Sequence, residues 1–263
     1  MKCKIEKELF DSLYSQGLND PAIAKSLGVS VSTVLRFRKM HNYPANKIQH
    51  ISQRAKAIEI KQEVREILCG TLLGDSSLQY MSIKSISPLF SSYHGPQQEE
   101  YVKHLTEILK DFNPNCKKRE RFDKRTQKTY ISWSIVTKAN PEFIPLYNNL
   151  YINGKKHITK EFLKDFTLKS LAYLYMDDGY YCRNTAFICT DCFDEKSLQN
   201  FKEYCESNFN LRFGFEKHGK GIRMRLKTSD FKLFQHLINP YVINSLKYKL
   251  NLSPNPVNLG KPS

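Results

Sequence analysis

The chain has 263 residues, 40% of them apolar, which is enough for a core in one large or two small domains. Its net charge of +15 favours a polyanionic partner, because each neutralised phosphate releases condensed counterions. No apolar stretch nears the roughly 18 residues of a membrane span. The first residues lack the apolar core of a signal peptide, and seven scattered cysteines suit reduced thiols, so an intracellular monomer with no membrane partner is expected.

Residues 1–45 read as a separate unit of three helices. Ile5 to Gln16 carries Leu9, Phe10 and Leu13 on one face. Asp20 can cap a second helix with Pro21 at its start, and Gly28-Val29-Ser30 makes a tight turn. Ser30 or Ser32 then caps a third helix that runs to about Met40. The pattern Ala24-x-x-Leu27-Gly28-Val29-Ser30-x-x-Thr33-Val34 resembles a helix-turn-helix module, in which glycine permits the turn and Val34 plugs the angle. The third helix would then present Ser32, Thr33, Arg36 and Lys39 to a major groove. Residues 46–63 read as a basic linker.

From about Val64 one order of elements recurs. Leu68-Cys69-Gly70-Thr71-Leu72-Leu73-Gly74-Asp75-Ser76 is an apolar run ending in an acid and a small residue, and Leu171-Ala172-Tyr173-Leu174-Tyr175-Met176-Asp177-Asp178-Gly179 is another, roughly a hundred residues on. Such runs form buried helices, and an acid at a helix C-terminus is unfavourable unless a cation is near. After Asp75 come extended segments at Ser77–Lys84 and Pro88–His94, an amphipathic helix from Gln97 to Phe112, a hairpin Cys116–Phe122/Lys128–Val136, and a helix from Asn140-Pro141 to Leu150. After Asp178 come a strand at Thr185–Cys189, a helix from Asp194 to Phe209, a hairpin Arg212–Lys217/Ile222–Lys227 turning at Gly219-Lys220-Gly221, and a helix capped by Asp230. Cys189-x-x-Cys192 has metal-ligand spacing but no matching second pair, so these cysteines read as small residues beside a strand.

The hairpins carry rows of cations. Strict alternation puts Arg223, Arg225 and Lys227 on one face and Ile222, Met224 and Leu226 on the other. Between Lys117 and Lys128 seven bases, Lys117, Lys118, Arg119, Arg121, Lys124, Arg125 and Lys128, face two acids. A curved sheet with such rows suits a DNA groove.

The two runs resemble the signature of the LAGLIDADG homing endonucleases over roughly residues 64–252, with Ser76 standing where the first motif usually has glycine. The resemblance implies an α+β fold of two pseudo-twofold αββαββα repeats, here 64–166 and 167–255, with antiparallel DNA-binding sheets, the all-α unit in front and a tail at 256–263. It implies cleavage of both strands of a long double-stranded DNA site, leaving short 3′ overhangs. Asp75 and Asp178 match the family's metal-binding acids, with magnesium or manganese needed for cutting and calcium supporting binding alone. The carbonyls of Gly74 and Asp177 are further candidate ligands, and the Asp177 side chain is either a ligand or turned to solvent. Lys138 and Lys227, each at the end of a last strand, match the region of a basic residue that orders water around the phosphate. The helix crossing is expected to be asymmetric, because Tyr173 and Asp177 oppose Gly70 and Gly74. Two other functions share these residues: a maturase acting on host intron RNA, and a DNA-binding regulator that has lost cleavage.

Overall fold

The computed structural model describes residues 5–16, 18–43, 57–82, 85–219 and 221–252, which fall into two compact units, 1–56 and 57–263. Most of the expected linker (46–56), the tail 256–263, and Ile83, Lys84 and Lys220 lie outside the described residues.

In the first unit, α1 (Lys7–Ser15), α2 (Asp20–Leu27) and α3 (Val31–Met40) close on Phe10, Ile23, Ala24, Val34 and Phe37. Gly28 takes the left-handed conformation (φ 63°) that ends α2, and Ser30 Oγ caps α3 by accepting from Thr33 N at 3.2 Å. The cap of α2 is Asn19, not Asp20. Asp20 instead accepts from Arg38 Nε at 2.8 Å, a pair that ties α2 to the end of α3.

In the second unit, α4 (Gln62–Leu73) leads through Gly74-Asp75 into β1 (Ser76–Gln79) and β2 (Leu89–His94). There follow α5 (Glu99–Ile108), β3 (Asn115–Asp123), β4 (Lys128–Val136) and α6 (Ile144–Leu150). After a short hairpin, β5 (Tyr151–Ile152) and β6 (Lys155–Lys156), and one turn of helix, α7 (Lys160–Leu163), the order returns. The second copy runs α8 (Leu168–Asp178), β7 (Gly179–Cys182), β8 (Thr185–Ile188), α9 (Glu195–Phe209), β9 (Phe213–His218), β10 (Gly221–Leu226) and α10 (Phe231–Ile238). Both four-stranded sheets are antiparallel and share one topology, β1-β2-β4-β3 and β7-β8-β10-β9. Residues 57–61, expected in a linker, pack on the first repeat: Ile60 is buried, and Asn140 holds the backbone of Ile58 through both its N–H and its carbonyl.

The core lies between the motif helices and the inner faces of the sheets. Register assigns the faces. Leu78, Phe90 and Ile135 point inward in the first sheet, and Met224, Leu226 and Ile188 in the second. Helices α4 and α8 touch backbone to backbone. A Cβ at Gly70 would come within 2.2 Å of the Ser170 carbonyl oxygen, and one at Gly74 within 2.5 Å of Asp177 Cβ. Ser170 Oγ also donates across the crossing to Glu66 O at 2.6 Å. The larger residues of α8 thus sit over the glycines of α4, the asymmetric crossing that the sequence implies.

Gly70→Ala should therefore cost roughly 1–3 kcal/mol or more, since a close-packed crossing has no room for a methyl group. Urea denaturation monitored by circular dichroism measures it, and a variant as stable as the parent would show that the helices do not meet at Gly70.

Candidate active site

Both motif helices end at the same place. Asp75 follows α4 and Asp178 is the last residue of α8; Asp75 is exposed and Asp178 half-buried. Burial, and after it the charge of Asp75, push the Asp178 carboxyl up to about 6, with Lys249 and Lys156 pulling it back. The two acids therefore share one electrostatic site.

Asp177 belongs to it as well. The reading that turned this side chain to solvent fails: it is buried against Gly74, where only a residue without Cβ leaves it space, and its Oδ2 accepts from Asp75 N at 3.3 Å. Burial, with Asp75 next, holds its carboxyl well above the ordinary carboxylate range. His94, at the end of β2, lies with Nδ1 3.7 Å from Asp75 Oδ2, and burial lowers its pKa so that the neutral ring prevails.

Two lysines complete the site. Lys156, on β6, donates to Gly74 O at 3.1 Å and to Ser76 O at 2.7 Å. Lys249 donates to Met176 O at 2.5 Å and to Asp177 O at 3.0 Å. Each lysine thus caps the C-terminus of one motif helix, where carbonyls carry partial negative charge. Burial lowers both pKa values while the surrounding acids hold them up. The carbonyls of Gly74 and Asp177, candidate metal ligands in the sequence, each give one lone pair to a lysine.

Lys138 and Lys227 do not reach the acids. Both are exposed, and Lys138 N donates to Phe112 O while Lys227 N donates to Arg212 O. Lys138 follows Thr137, whose N–H donates to Phe90 O, toward the Gln79–Leu89 end of the sheet and away from Asp75. Lys227 follows Leu226, whose carbonyl accepts from Thr185 Oγ1 at the Cys182 end of β7, away from Asp178. The last strands simply run the other way from the acids. Of the two lysines that sequence missed, one had a usable signal: Asn153-Gly154, both at positive φ (51° and 75°), is the turn of the hairpin that delivers Lys156.

The outer faces of the two sheets differ. On the first, Lys117, Arg119 and Arg121 pair in register with Ser134, Ser132 and Tyr130, and next to them lie Ser77, Gln79, Ser91 and Tyr93. All three bases are exposed, as are Lys124, Arg125 and Lys128 around the turn. Arg119 lies over the Tyr93 ring at 5.9 Å. On the second sheet the guanidiniums are engaged. Arg223 Nε donates to Asp191 Oδ2 at 3.0 Å and Nη1 to Tyr180 Oη at 3.2 Å, and Arg225 lies 3.8 Å from Glu216, which Arg183 also binds. In the first unit, Ser32, Arg36 and Lys39 are exposed along α3 and Thr33 is half-buried.

The raised Asp178 pKa has a consequence for stability. A carboxyl with a folded pKa above its unfolded value binds more protons when folded between about pH 4 and pH 6, so stability falls as pH rises through that window. In metal-free protein, Asp178→Asn should raise stability at neutral pH by about 1–3 kcal/mol and flatten this dependence. Thermal melting across the window tests it; an unchanged slope would place the raised pKa elsewhere.

The model of the LAGLIDADG DNA endonuclease family matches residues 65–234. The DNA endonuclease I-ChuI of Chlamydomonas applanata is 25% identical over 214 residues, 74% of this chain and 97% of that one. The RecA protein of Mycolicibacterium flavescens is 27% identical over 201 residues, but the chain spans only 45% of its length. Among solved structures, the homing endonuclease I-WcaI bound to its DNA recognition sequence superposes with a TM-score of 0.68 at 22% identity, covering 77% of this chain and 91% of that one, a likeness of fold. The matched segment holds both motif helices, both sheets and all three acids, and on that ground the chain belongs to the LAGLIDADG DNA endonuclease family.

Proposed function

We propose that this chain cuts both strands of one long double-stranded DNA site, using a divalent cation held by Asp75 and Asp178. The carrying observation is that acids from two separate helices share one site between two sheets whose outer faces are polar and, in the first, densely cationic. Asp75 and Asp178, from two separate helices, offer hard oxygen donors at one place, so the site fits magnesium or manganese. A bound ion would activate water and offset charge on the phosphate.

The remaining steps belong to the chain. Lys117, Arg119, Arg121, Lys124, Arg125 and Lys128 hold phosphates along the first half of the duplex, and their register alternates them with serine and tyrosine side chains that can meet base edges. Arg223 and Arg225, fixed by Asp191 and Glu216, offer oriented donors to the second half. Lys156 and Lys249 steady the ends of the motif helices against the carboxylates and lie where they can offset charge on the scissile phosphates. With the acids at the ends of paired helices, cutting across the minor groove to leave short 3′ overhangs is the product expected. Ser32, Thr33, Arg36 and Lys39 of α3 add a helix-turn-helix contact to the same DNA.

Asp75→Asn and Asp178→Asn should each abolish cleavage, with site binding in calcium changed by less than about tenfold. Gel-shift and cleavage assays on a selected site separate the two, and loss of binding as large as the loss of cutting would assign the acids a structural role. Deleting residues 1–45 should weaken binding yet leave metal-dependent cutting at higher enzyme concentration. A folded but inactive deletion would contradict the assignment of catalysis to the repeats.

A further inference from the structure

Beside Asp75 lie three buried polar atoms without a hydrogen-bond partner among the described residues: His94 Nδ1, Asp177 Oδ1 and Tyr101 Oη. Buried polar groups are nearly always bonded, so three together mark a place for an occupant. Tyr101 Oη faces the Asp177 carboxyl and interacts with it, short of a well-aligned hydrogen bond.

Two of the three atoms are held in place by their neighbours. Ser92 Oγ lies 2.6 Å from His94 Nε2, and Ser92 is itself held by Ser76 Oγ at 2.9 Å. The Ser92 contact fixes the ring, so Nδ1 cannot turn away without breaking it, and in the tautomer that carries its proton on Nε2 the Nδ1 lone pair is open to an ion. Asp177 Oδ2 is occupied by the Asp75 N–H, which leaves Oδ1. One ligand atom each from Asp75, His94 and Asp177 lies within 4.8 Å of the other two, a span that a single ion at about 2.0–2.2 Å from its ligands can bridge after small side-chain shifts.

Among the described residues the second repeat has no equivalent. Ser76 pairs with Ser92, and two residues on stands His94; Gly179 pairs with Ile188, and two residues on stands Thr190, whose Oγ1 donates to Ile222 O at 2.8 Å.

We propose that His94 Nδ1, Asp177 Oδ1 and Asp75 form a cation site peculiar to the first repeat, which takes a divalent ion with affinity for nitrogen, of the Mn²⁺, Co²⁺ or Zn²⁺ class, in preference to Mg²⁺ or Ca²⁺. An imidazole nitrogen makes that distinction, since magnesium and calcium seek oxygen. The inference deepens the nuclease reading only in that Asp75 serves both sites; the site itself needs no DNA. It makes the two halves chemically unequal, with the acid of one strand's site held by an extra ligand set.

The test uses untagged, full-length protein without DNA, with Mn²⁺ alone as the probe. Pulsed electron paramagnetic resonance should detect a nitrogen ligand on bound Mn²⁺, shifting to the ¹⁵N pattern when histidine imidazoles are labelled. His94→Gln should remove that coupling and weaken Mn²⁺ binding by about tenfold, while Mg²⁺ binding changes less than about twofold. Asp178→Asn should keep the coupling. Absence of nitrogen coupling in the labelled parent overturns the inference whether or not the variant folds, as does coupling that survives in His94→Gln. Coupling lost in Asp178→Asn also overturns it, by locating the ion between the two motif acids, and leaves the nuclease reading to its own cleavage assay.

Discussion

The close crossing of the two motif helices is the constraint on which the site depends. Gly70 and Gly74 let the α4 backbone meet Ser170, Tyr173 and Asp177 of α8 with no intervening side chain. That contact fixes where both helices end, and so where Asp75 and Asp178 stand. The neighbouring residues Leu68, Leu72, Leu171 and Leu174 are almost wholly buried, so the crossing is anchored in the apolar core. Without this anchor, three carboxylates gathered at two helix C-termini would drive the helices apart.

That electrostatic load is met locally. Aligned peptide dipoles already make each helix end partly negative, and burial followed by the charge of Asp75 raises the pKa of both Asp177 and Asp178. Lys156 and Lys249 answer at the two helix ends, each on two carbonyls. Their burial is tolerated because the acids favour their charged form. A site assembled this way spends stability on chemistry, and this is the usual relation between a strained functional centre and a well-packed surround.

Much of this was legible in the sequence, because it is governed by local pattern. The apolar motif runs, the alternation of Ile222-Arg223-Met224-Arg225-Leu226 and the repeated order of elements specified the layers and the acids. What sequence could not supply depended on long-range approach. Lys156 meets Gly74 from 82 residues away and Lys249 meets Asp177 from 72. Lys138 and Lys227 were favoured by their strand ends, but strand direction, not strand membership, decides which end faces the acids. Asp177 looked free for solvent because the glycine that receives it lies in the other repeat. His94 gave no signal at all, since a lone histidine on a strand is usually a packing residue.

The two sheets show how duplicated halves diverge without losing the fold. In the first, exposed bases carry no ion pair among the described residues beyond Lys118–Glu120, so they act as mobile charge, and their contribution to DNA binding would come from counterion release and fade with salt. In the second, Arg223 is clamped between Asp191 and Tyr180, while Arg183 and Arg225 lie over the Phe187 ring, at 5.0 and 5.8 Å, and share Glu216. Paired charge gives less long-range attraction but a fixed donor direction, the property that distinguishes one base edge from another. One chain can therefore divide the work between its halves, the first supplying affinity and the second orientation. A homodimer, with identical sheets, could not make that division, and its target would have to be as symmetric as itself.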